Sequence, residues 1–354
     1  MNSFGVYVHI PFCAKRCDYC AFATWTDRSH LQTDYLQALR RDIADASLPP
    51  VSSVFVGGGT PTLVDPAQLA HVLSAIPRID DAEVTVECNP DDVTVEMLRT
   101  YRQAGVNRVS IGVQSMVPHV LASLGRTHVP ANVHHAVEAV HAAEIPTFNL
   151  DLIYGAAGES LADWLATLEG AIALAPTHIS AYALTIEAGT PLAEEPHRHP
   201  DDDDLADKYE LADELLSAAG LANYEVSNWA LAGHECKHNM LYWRQGNYRG
   251  FGCAAHSHLD GRRWWNVRTP ERYIAAVTDG ESTEAAGETL DENTRRTEGL
   301  QLALRMREGV PMAALPLDAL AAEGLDDLVE SDGERVRLTQ RGRLLANEVS
   351  LRLR

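Results

Sequence analysis

Three cysteines near the start of the chain constrain it more than any other feature. Cys13, Cys17 and Cys20 lie in the run Cys13-Ala-Lys-Arg-Cys17-Asp-Tyr-Cys20, a C-x3-C-x2-C spacing. That spacing gathers three thiolates on one short loop and supplies no fourth. A 4Fe–4S cluster normally takes one cysteine per iron. With three ligands, one iron keeps an open coordination position, where a small molecule can bind. The preceding Val6-Tyr-Val-His-Ile10 reads as a strand, and Pro11 marks its exit.

Other uses of these thiols fit less well. Three clustered cysteines leave one unpaired, and nothing marks the chain as secreted, which argues against disulfides. A zinc site needs a fourth ligand, and neither His9 nor His30 stands at a familiar spacing. Cys88, Cys236 and Cys253 are scattered and read as buried free thiols. With a formal net charge of -21, the chain is a poor candidate for general attachment to nucleic acid or anionic lipid. No signal-peptide pattern opens it and no apolar run approaches the ~20 residues of a membrane span. The expected location is therefore the reducing cytoplasm, which suits thiolate ligands.

From residue 5 to about 185, strand-like and helix-like segments alternate. The expected strands are Val6–Ile10, Val54–Gly57, Glu83–Cys88, Arg108–Val113, Thr147–Ile153 and His178–Leu184. They are read as carrying apolar residues at successive positions, as when both sheet faces are covered. The expected helices are 29–46 with Ser29 as cap, one opening at Asp65-Pro66, 94–105 with Thr94 as cap, 131–143 and 160–175. Six β-α repeats imply a parallel sheet with right-handed crossovers, forming an α/β partial (βα)6 barrel rather than a closed eight-fold one. The expected division is 1–190 for this core, 191–285 for an extension and 286–354 for a mostly helical, winged-helix-like end. In the extension, Asp201–Asp204 read as a solvated helix entry, Leu205–Ala219 as that helix and Asn223–Trp229 as one strand.

In parallel α/β folds, ligands bind at the C-terminal ends of the strands. Those ends carry the cysteine loop, Gly57-Gly-Gly-Thr60, Glu87-Cys-Asn-Pro90 and Gln114-Ser115. The glycines are expected to offer N–H groups to a ligand's amine and carboxylate. Asp151 sits inside the apolar strand 148–154, where burial is costly unless the carboxylate is paired or meets a ligand. Arg126 is a candidate partner or carboxylate clamp.

In this order, the cysteine spacing, GGGTP, ECNP, GVQS and NLDLIYG together resemble the radical S-adenosylmethionine (SAM) enzymes. They resemble the branch of oxygen-independent coproporphyrinogen III dehydrogenase most closely. The resemblance implies that Cys13, Cys17 and Cys20 hold a 4Fe–4S cluster whose fourth iron SAM chelates. It places Tyr7, Tyr19, Gly58, Gly59, Thr60, Glu87, Gln114, Arg126, Asp151 and Ala183 around SAM, and it also implies the six-fold partial barrel.

Three departures narrow the branch. The dehydrogenases carry a further cysteine two residues after the third ligand, where this chain has Phe22. They also carry a long extension before the cluster, whereas only twelve residues precede Cys13. Finally, Tyr224-Glu-Val-Ser-Asn-Trp-Ala230, Lys237-His-Asn-Met-Leu-Tyr-Trp243 and Gly252-Cys-Ala-Ala-His-Ser257 resemble the HemW-type heme chaperones. That resemblance implies heme binding at His238, Tyr242 and Trp243, with Met240 a lesser candidate for a second axial ligand. Imidazole ligates heme iron and aromatic rings stack on porphyrins. The alternative for this segment is that His238 and Asn239 bond a loop while Tyr242 and Trp243 pack in a core.

The expected function is a heme chaperone that binds heme and delivers it to respiratory apoproteins, carrying SAM on its cluster. The rival is the dehydrogenase, which acts on propionate side chains through a 5′-deoxyadenosyl radical. A third reading, a radical SAM enzyme of other substrate, follows if His238 is structural.

Overall fold

The computed structural model describes residues 3–353. Six strands form its centre: β1 (Phe4–Ile10), β2 (Val51–Gly58), β3 (Arg78–Cys88), β4 (Arg108–Gln114), β5 (Thr147–Tyr154) and β6 (His178–Ala183). Each pairs in parallel with the next. The connections carry α1 (Gln32–Asp45), α2 (Pro66–Leu73), α3 (Val95–Gln103), α4 (Pro118–Ser123), α5 (Pro130–Ala142) and α6 (Leu161–Ala173). This is the partial barrel of six β-α units that the alternation of segments implies.

Several helix starts follow from single side chains. Asp65 accepts from the Gln68 N–H at 2.8 Å and Pro66 fills the first turn. Thr94 accepts from Met97 N–H at 3.2 Å, and Ser160 and Asp163 cap each other. Ser29 is not a cap, contrary to expectation. Residues Ser29–Leu31 form a tight 3-10 turn and α1 begins at Gln32 without a side-chain cap.

The two sheet faces differ sharply. Val6, Val8, Ile10, Val54, Val56, Val84, Val86, Val109, Ile111, Leu150, Leu152 and Ile179 point outward into the helix-covered core. The alternate residues point inward and are mostly polar. The register pairs Thr85 with Arg108, Glu87 with Ser110, Ser110 with Asn149, Asn149 with His178, and Asp151 with Ser180. The expectation of apolar residues on both faces is corrected: the strands alternate with period two because the barrel interior is a ligand chamber, not packed core.

The sheet does not stop at residue 190. After α7 (Asp202–Ala218), β7 (Ala222–Glu225) and β8 (Asn228–Ala230) add antiparallel strands beyond β6. The single strand expected over 223–229 is thus a hairpin. Its turn is pinned by the Glu225 carboxylate, which accepts from the Ser227 N–H at 3.2 Å and from the Asn228 side chain. Then come α8 (Lys237–Trp243), β9 (Asn247–Phe251), β10 (His256–Leu259), β11 (Arg262–Asn266), α9 (Pro270–Asp279) and β12 (Glu284–Thr289). Strand β9 pairs in parallel with β1, so β9 to β12 extend the opposite edge and the sheet reaches 12 strands.

The C-terminal part begins with α10 (Glu292–Leu304). Residues Val310–Pro311, Val329–Ser331 and Arg335–Leu338 form a separate three-stranded sheet over a small core that includes Leu304, Leu315, Leu328, Val336 and Val349. Within the end expected to be mostly helical, Asp326–Leu328 is a 3-10 turn running into a strand, and the last helical stretch breaks at Leu345 into Gln340–Leu344 and Ala346–Ser350.

One of only three lysines is fully buried. Lys208 Nζ lies 3.3 Å from Glu159 Oε2 and 2.6 Å from Asp204 Oδ2, tying α7 to the start of α6. Asp204 thus does more than complement a helix dipole. Lys208→Ala should leave the Glu159 carboxylate buried without a counter-charge, costing about 3–5 kcal/mol in denaturant unfolding. Glu159→Gln added to it should recover part of the loss. An unchanged midpoint for Lys208→Ala would show that the pair contributes nothing.

Candidate functional site

The cysteine loop and the barrel mouth enclose one cavity of about 720 Å³. Cys13, Cys17 and Cys20 line it, and all three are free thiols. Among the described residues, no three His, Cys, Asp or Glu side chains close round a single ion. A cluster makes a different demand, because each cysteine binds its own iron and the thiols spread over the faces of a cube. Two donors face them: Thr60 Oγ1 lies 3.7 Å from Cys13 Sγ and Arg126 Nη1 3.7 Å from Cys17 Sγ. Burial pushes the Cys13 and Cys20 thiols up, and the Thr60 hydroxyl partly offsets this at Cys13. Three thiols on one loop, two of them facing donors suited to thiolate, fit a three-cysteine cluster.

Of the residues expected around SAM, all but Tyr7 line this cavity. Arg126 is held by Asn89 Oδ1 at 2.6 Å and Gly112 O at 2.9 Å. Gln114 holds a left-handed backbone (φ 63°) where β4 shifts register against β5. Such a conformation costs a side-chain-bearing residue about 1–3 kcal/mol and persists where a site requires it.

The glycine turn works differently from expectation. Gly58 N–H donates to Glu87 Oε2 at 3.0 Å, Gly59 N–H to Ile10 O at 2.7 Å, and Thr60 N–H to Phe12 O at 2.8 Å. All three N–H groups are spent inside the protein. A Cβ on Gly59 would stand 2.6 Å from Phe12 O, so the glycine admits the exit of β1, not a ligand. The turn therefore anchors the cysteine loop to the barrel mouth.

Behind the mouth lies a second, smaller cavity of about 150 Å³. Glu87, Ser110, Asp151 and Tyr182 border both. Tyr7 belongs to this inner chamber, where its hydroxyl lies 3.0 Å from His9 Nδ1. Asp151 is satisfied by Ser110 Oγ at 2.7 Å and Asn149 Nδ2 at 2.8 Å. Asn149 Oδ1 in turn accepts from His178 Nδ1 at 2.6 Å. Ser110, Asn149, His178, Tyr182 and Asn89 were not among the expected site residues. The signal was present as polar residues at every second position of β3 to β6.

The His238 segment forms the floor of this chamber. Glu83 on β3 accepts from the backbone N–H groups of Lys237 and His238, each at 3.0 Å, and so caps α8 from a distant strand. His238 is 1% exposed. Its Nδ1 lies 2.9 Å from Ser53 Oγ and its Nε2 2.8 Å from Tyr242 Oη, while its ring stacks on Phe55. Burial lowers its pKa to about 3, so the ring is neutral. With both nitrogens occupied, His238 reaches an iron only after Tyr242 turns away. Asn239 bonds Glu225, and Met240 is not among the chamber's lining residues.

The radical SAM superfamily model matches residues 7–171. A Mycobacterium tuberculosis protein named heme chaperone HemW is 43% identical over 365 residues, spanning 98% of this chain and 93% of that one. Its namesakes in Escherichia coli and Bacillus subtilis are 40% and 34% identical, over 79% and 98% of this chain and 79% and 97% of theirs. The chain belongs to the HemW family of radical SAM proteins. The crystallised coproporphyrinogen III oxidase of Escherichia coli superposes with a TM-score of 0.85 at 22% identity, over 99% of this chain and 89% of that one, which establishes a shared fold. Membership of the superfamily implies a 4Fe–4S cluster and SAM.

Glu87 yields a pH test. Burial, then the Asp151 charge, raises its pKa from 4.5 to about 8. Between those values the folded state holds a proton that the unfolded state releases, so stability falls as pH rises from about 4.5 to 8. Glu87→Gln in the cluster-free protein should remove this slope, and its stability advantage over wild type should grow with pH across the window. Parallel denaturation curves at pH 5 and pH 8 would contradict the burial argument.

Proposed function

We propose that this HemW-family protein is a heme chaperone. It takes up heme and passes it to respiratory apoproteins in the cytoplasm, while Cys13, Cys17 and Cys20 hold a 4Fe–4S cluster. Tyr19, Gly58, Gly59, Thr60, Glu87, Gln114, Arg126, Asp151 and Ala183, with Tyr7 behind them, surround SAM. The observation that carries this reading is the 43% identity, nearly end to end, with a protein named heme chaperone HemW. The likeness to the oxidase is one of fold alone. Phe22, 63% exposed at the cavity mouth, stands where the dehydrogenases carry cysteine and supports the same choice. Thiolate ligands need a reducing compartment, which supports the cytoplasmic location. No helix among the described residues is long and apolar enough to cross a membrane.

The cluster, when bound, supplies redox chemistry and an open iron for SAM. The protein's own part is to position the thiols and donate to them through Thr60 and Arg126. Anaerobic reconstitution should give about four irons per chain with the spectrum of a 4Fe–4S centre. Cys17→Ala should lose it, while Cys88→Ala and Cys253→Ala should retain it. Full iron in the Cys17 variant would sink the assignment.

The function is tested by giving the reconstituted protein SAM, reductant and coproporphyrinogen III, with heme titration in parallel. The expected outcome is stable heme binding and no protoporphyrinogen. SAM-dependent protoporphyrinogen formation would restore the dehydrogenase, and failure to bind heme would remove the chaperone reading.

A further inference from the structure

Two polar side chains of the inner chamber keep bonding capacity that the protein does not use. Most of the lining is committed. Asn149, Asp151, His178 and His238 bond one another or their neighbours, and Asn228 and Asn239 both donate to Glu225. Arg108 and Thr85 are the exceptions. Thr85 on β3 and Arg108 on β4 stand opposite each other, both line the chamber, and they are 0% and 3% exposed. Arg108 donates through Nη1 to His234 O at 2.9 Å, and its guanidinium makes no other bond among the described residues. That group carries several N–H donors in a planar fork, and all but one are unspent. Thr85 Oγ1 is buried with no hydrogen-bond partner among the described residues.

Arg108 also lacks a counter-charge: among the described residues no carboxylate forms an ion pair with it. Glu83, two residues before Thr85 on the same strand face, is taken up by α8, where it accepts from the Lys237 and His238 N–H groups and the Cys236 thiol. Glu225 is held by Ser227, Asn228 and Asn239. Asp151 is bonded to Ser110 and Asn149, and the Arg108 charge acts on its carboxyl more weakly than burial or those bonds do. A buried charge is costly unless it is paired or meets a ligand. A buried guanidinium with an idle fork beside an idle hydroxyl is a receptor for an anion.

The chamber narrows the choice of anion. The fork matches a carboxylate through two parallel N–H···O bonds, and Thr85 can donate a further one. The cavity is about 150 Å³, a volume in which an apolar pocket takes up benzene, so the ligand has on the order of six heavy atoms. Tyr7, Phe55 and Tyr242 offer rings on which a short carbon chain can pack. Glu87 and Asp151 stand at the end shared with the mouth, and that end disfavours a second negative charge. A monocarboxylate therefore fits better than phosphate or a dicarboxylate.

We infer that the inner chamber binds a small monocarboxylic acid, with Arg108 clasping the carboxylate and Thr85 donating to it. The inference does not rest on the heme reading, since the chamber is too small for a macrocycle. The acid lies directly behind the mouth, because Glu87, Ser110, Asp151 and Tyr182 border both cavities.

The test adds propionate to the reconstituted full-length protein and follows calorimetric binding and thermal unfolding, with sodium chloride at equal ionic strength as control. Propionate should bind saturably and raise the unfolding midpoint. Propionamide has the same shape without the charge and should bind at least about tenfold more weakly. Adamantane carboxylate, too bulky for the chamber, should not bind. Thr85→Val removes a hydroxyl that bonds nothing, so it should fold as well as wild type and bind propionate up to about tenfold more weakly. Arg108→Met should lose the binding, and Arg108→Lys, with the charge but not the fork, should recover only part of it. Equal binding of propionate and propionamide, or wild-type affinity in Arg108→Met, would overturn the inference. No saturable effect on the wild type would also overturn it and leave the idle donors to trapped water. Displacement of propionate by heme would remove the free acid and assign Arg108 to a propionate arm of the cargo.

Discussion

The Asn149 side chain carries the interior of this fold. Its amide donates to Ser110 Oγ at 2.7 Å and Asp151 Oδ1 at 2.8 Å, and its carbonyl accepts from His178 at 2.6 Å and Ser180 at 3.2 Å. Every hydrogen-bonding site of the amide is thereby used. A parallel barrel whose inner face is polar is stable only if those groups are satisfied, since each lost partner costs about 1–3 kcal/mol. The network therefore fixes the register of β4, β5 and β6 as firmly as the apolar outer face does. It also fixes the place of Asp151, where mouth and chamber meet, with each carboxylate oxygen already holding one bond.

The closure at the other end rests on a strand-to-helix contact. Helix α8 is too short to be stable alone, and its own N-cap, Cys236, caps none of the helix N–H groups with its side chain, which donates to Glu83 instead. Glu83 supplies the cap, and Ser53 and Phe55 of β2 hold His238. From there an unbroken run of ring contacts leads through Phe55 and Tyr7 to His9, whose Nε2 bonds Ala23 O just past the cysteines. The run also continues the other way, through Tyr242 and Tyr248 to His258. The His238 segment and the cysteine loop are packed as one body. A substitution at His238 is thus bound to affect more than any ligand it touches.

Much of this was legible in the chain. The cysteine spacing, the six β-α units and the residues at the strand ends could be read because each is a local pattern or a fixed topological position. What could not be read depends on who bonds to whom across the fold. Gly58, Gly59 and Thr60 look like a free anion nest in sequence, yet their N–H groups are taken by Glu87, Ile10 and Phe12. His238 looks like a ligand, yet Ser53 and Tyr242 occupy it. The inner-face residues were open to discovery, because Thr85/Glu87, Arg108/Ser110, Asn149/Asp151 and His178/Ser180 alternate strictly with apolar partners. Strands β9 to β12 carry no strong local pattern: Trp264, Trp265 and their arginines find their place only because β9 pairs with β1.

The two ends of the molecule make opposite demands on a ligand. A cofactor retained at the mouth is enclosed by the cysteine loop and by groups such as Arg126, which is anchored from two sides. A cargo must leave, and the free energy of its release rises with each group that holds it. A heme buried between two protein ligands leaves only by dissociation. A heme on one imidazole can be approached by a ligand of the recipient before the first bond breaks, so transfer proceeds without free heme. On the chaperone reading, His238 can take an iron only by giving up its 2.8 Å bond to Tyr242, and regaining that bond lowers the cost of letting the cargo go.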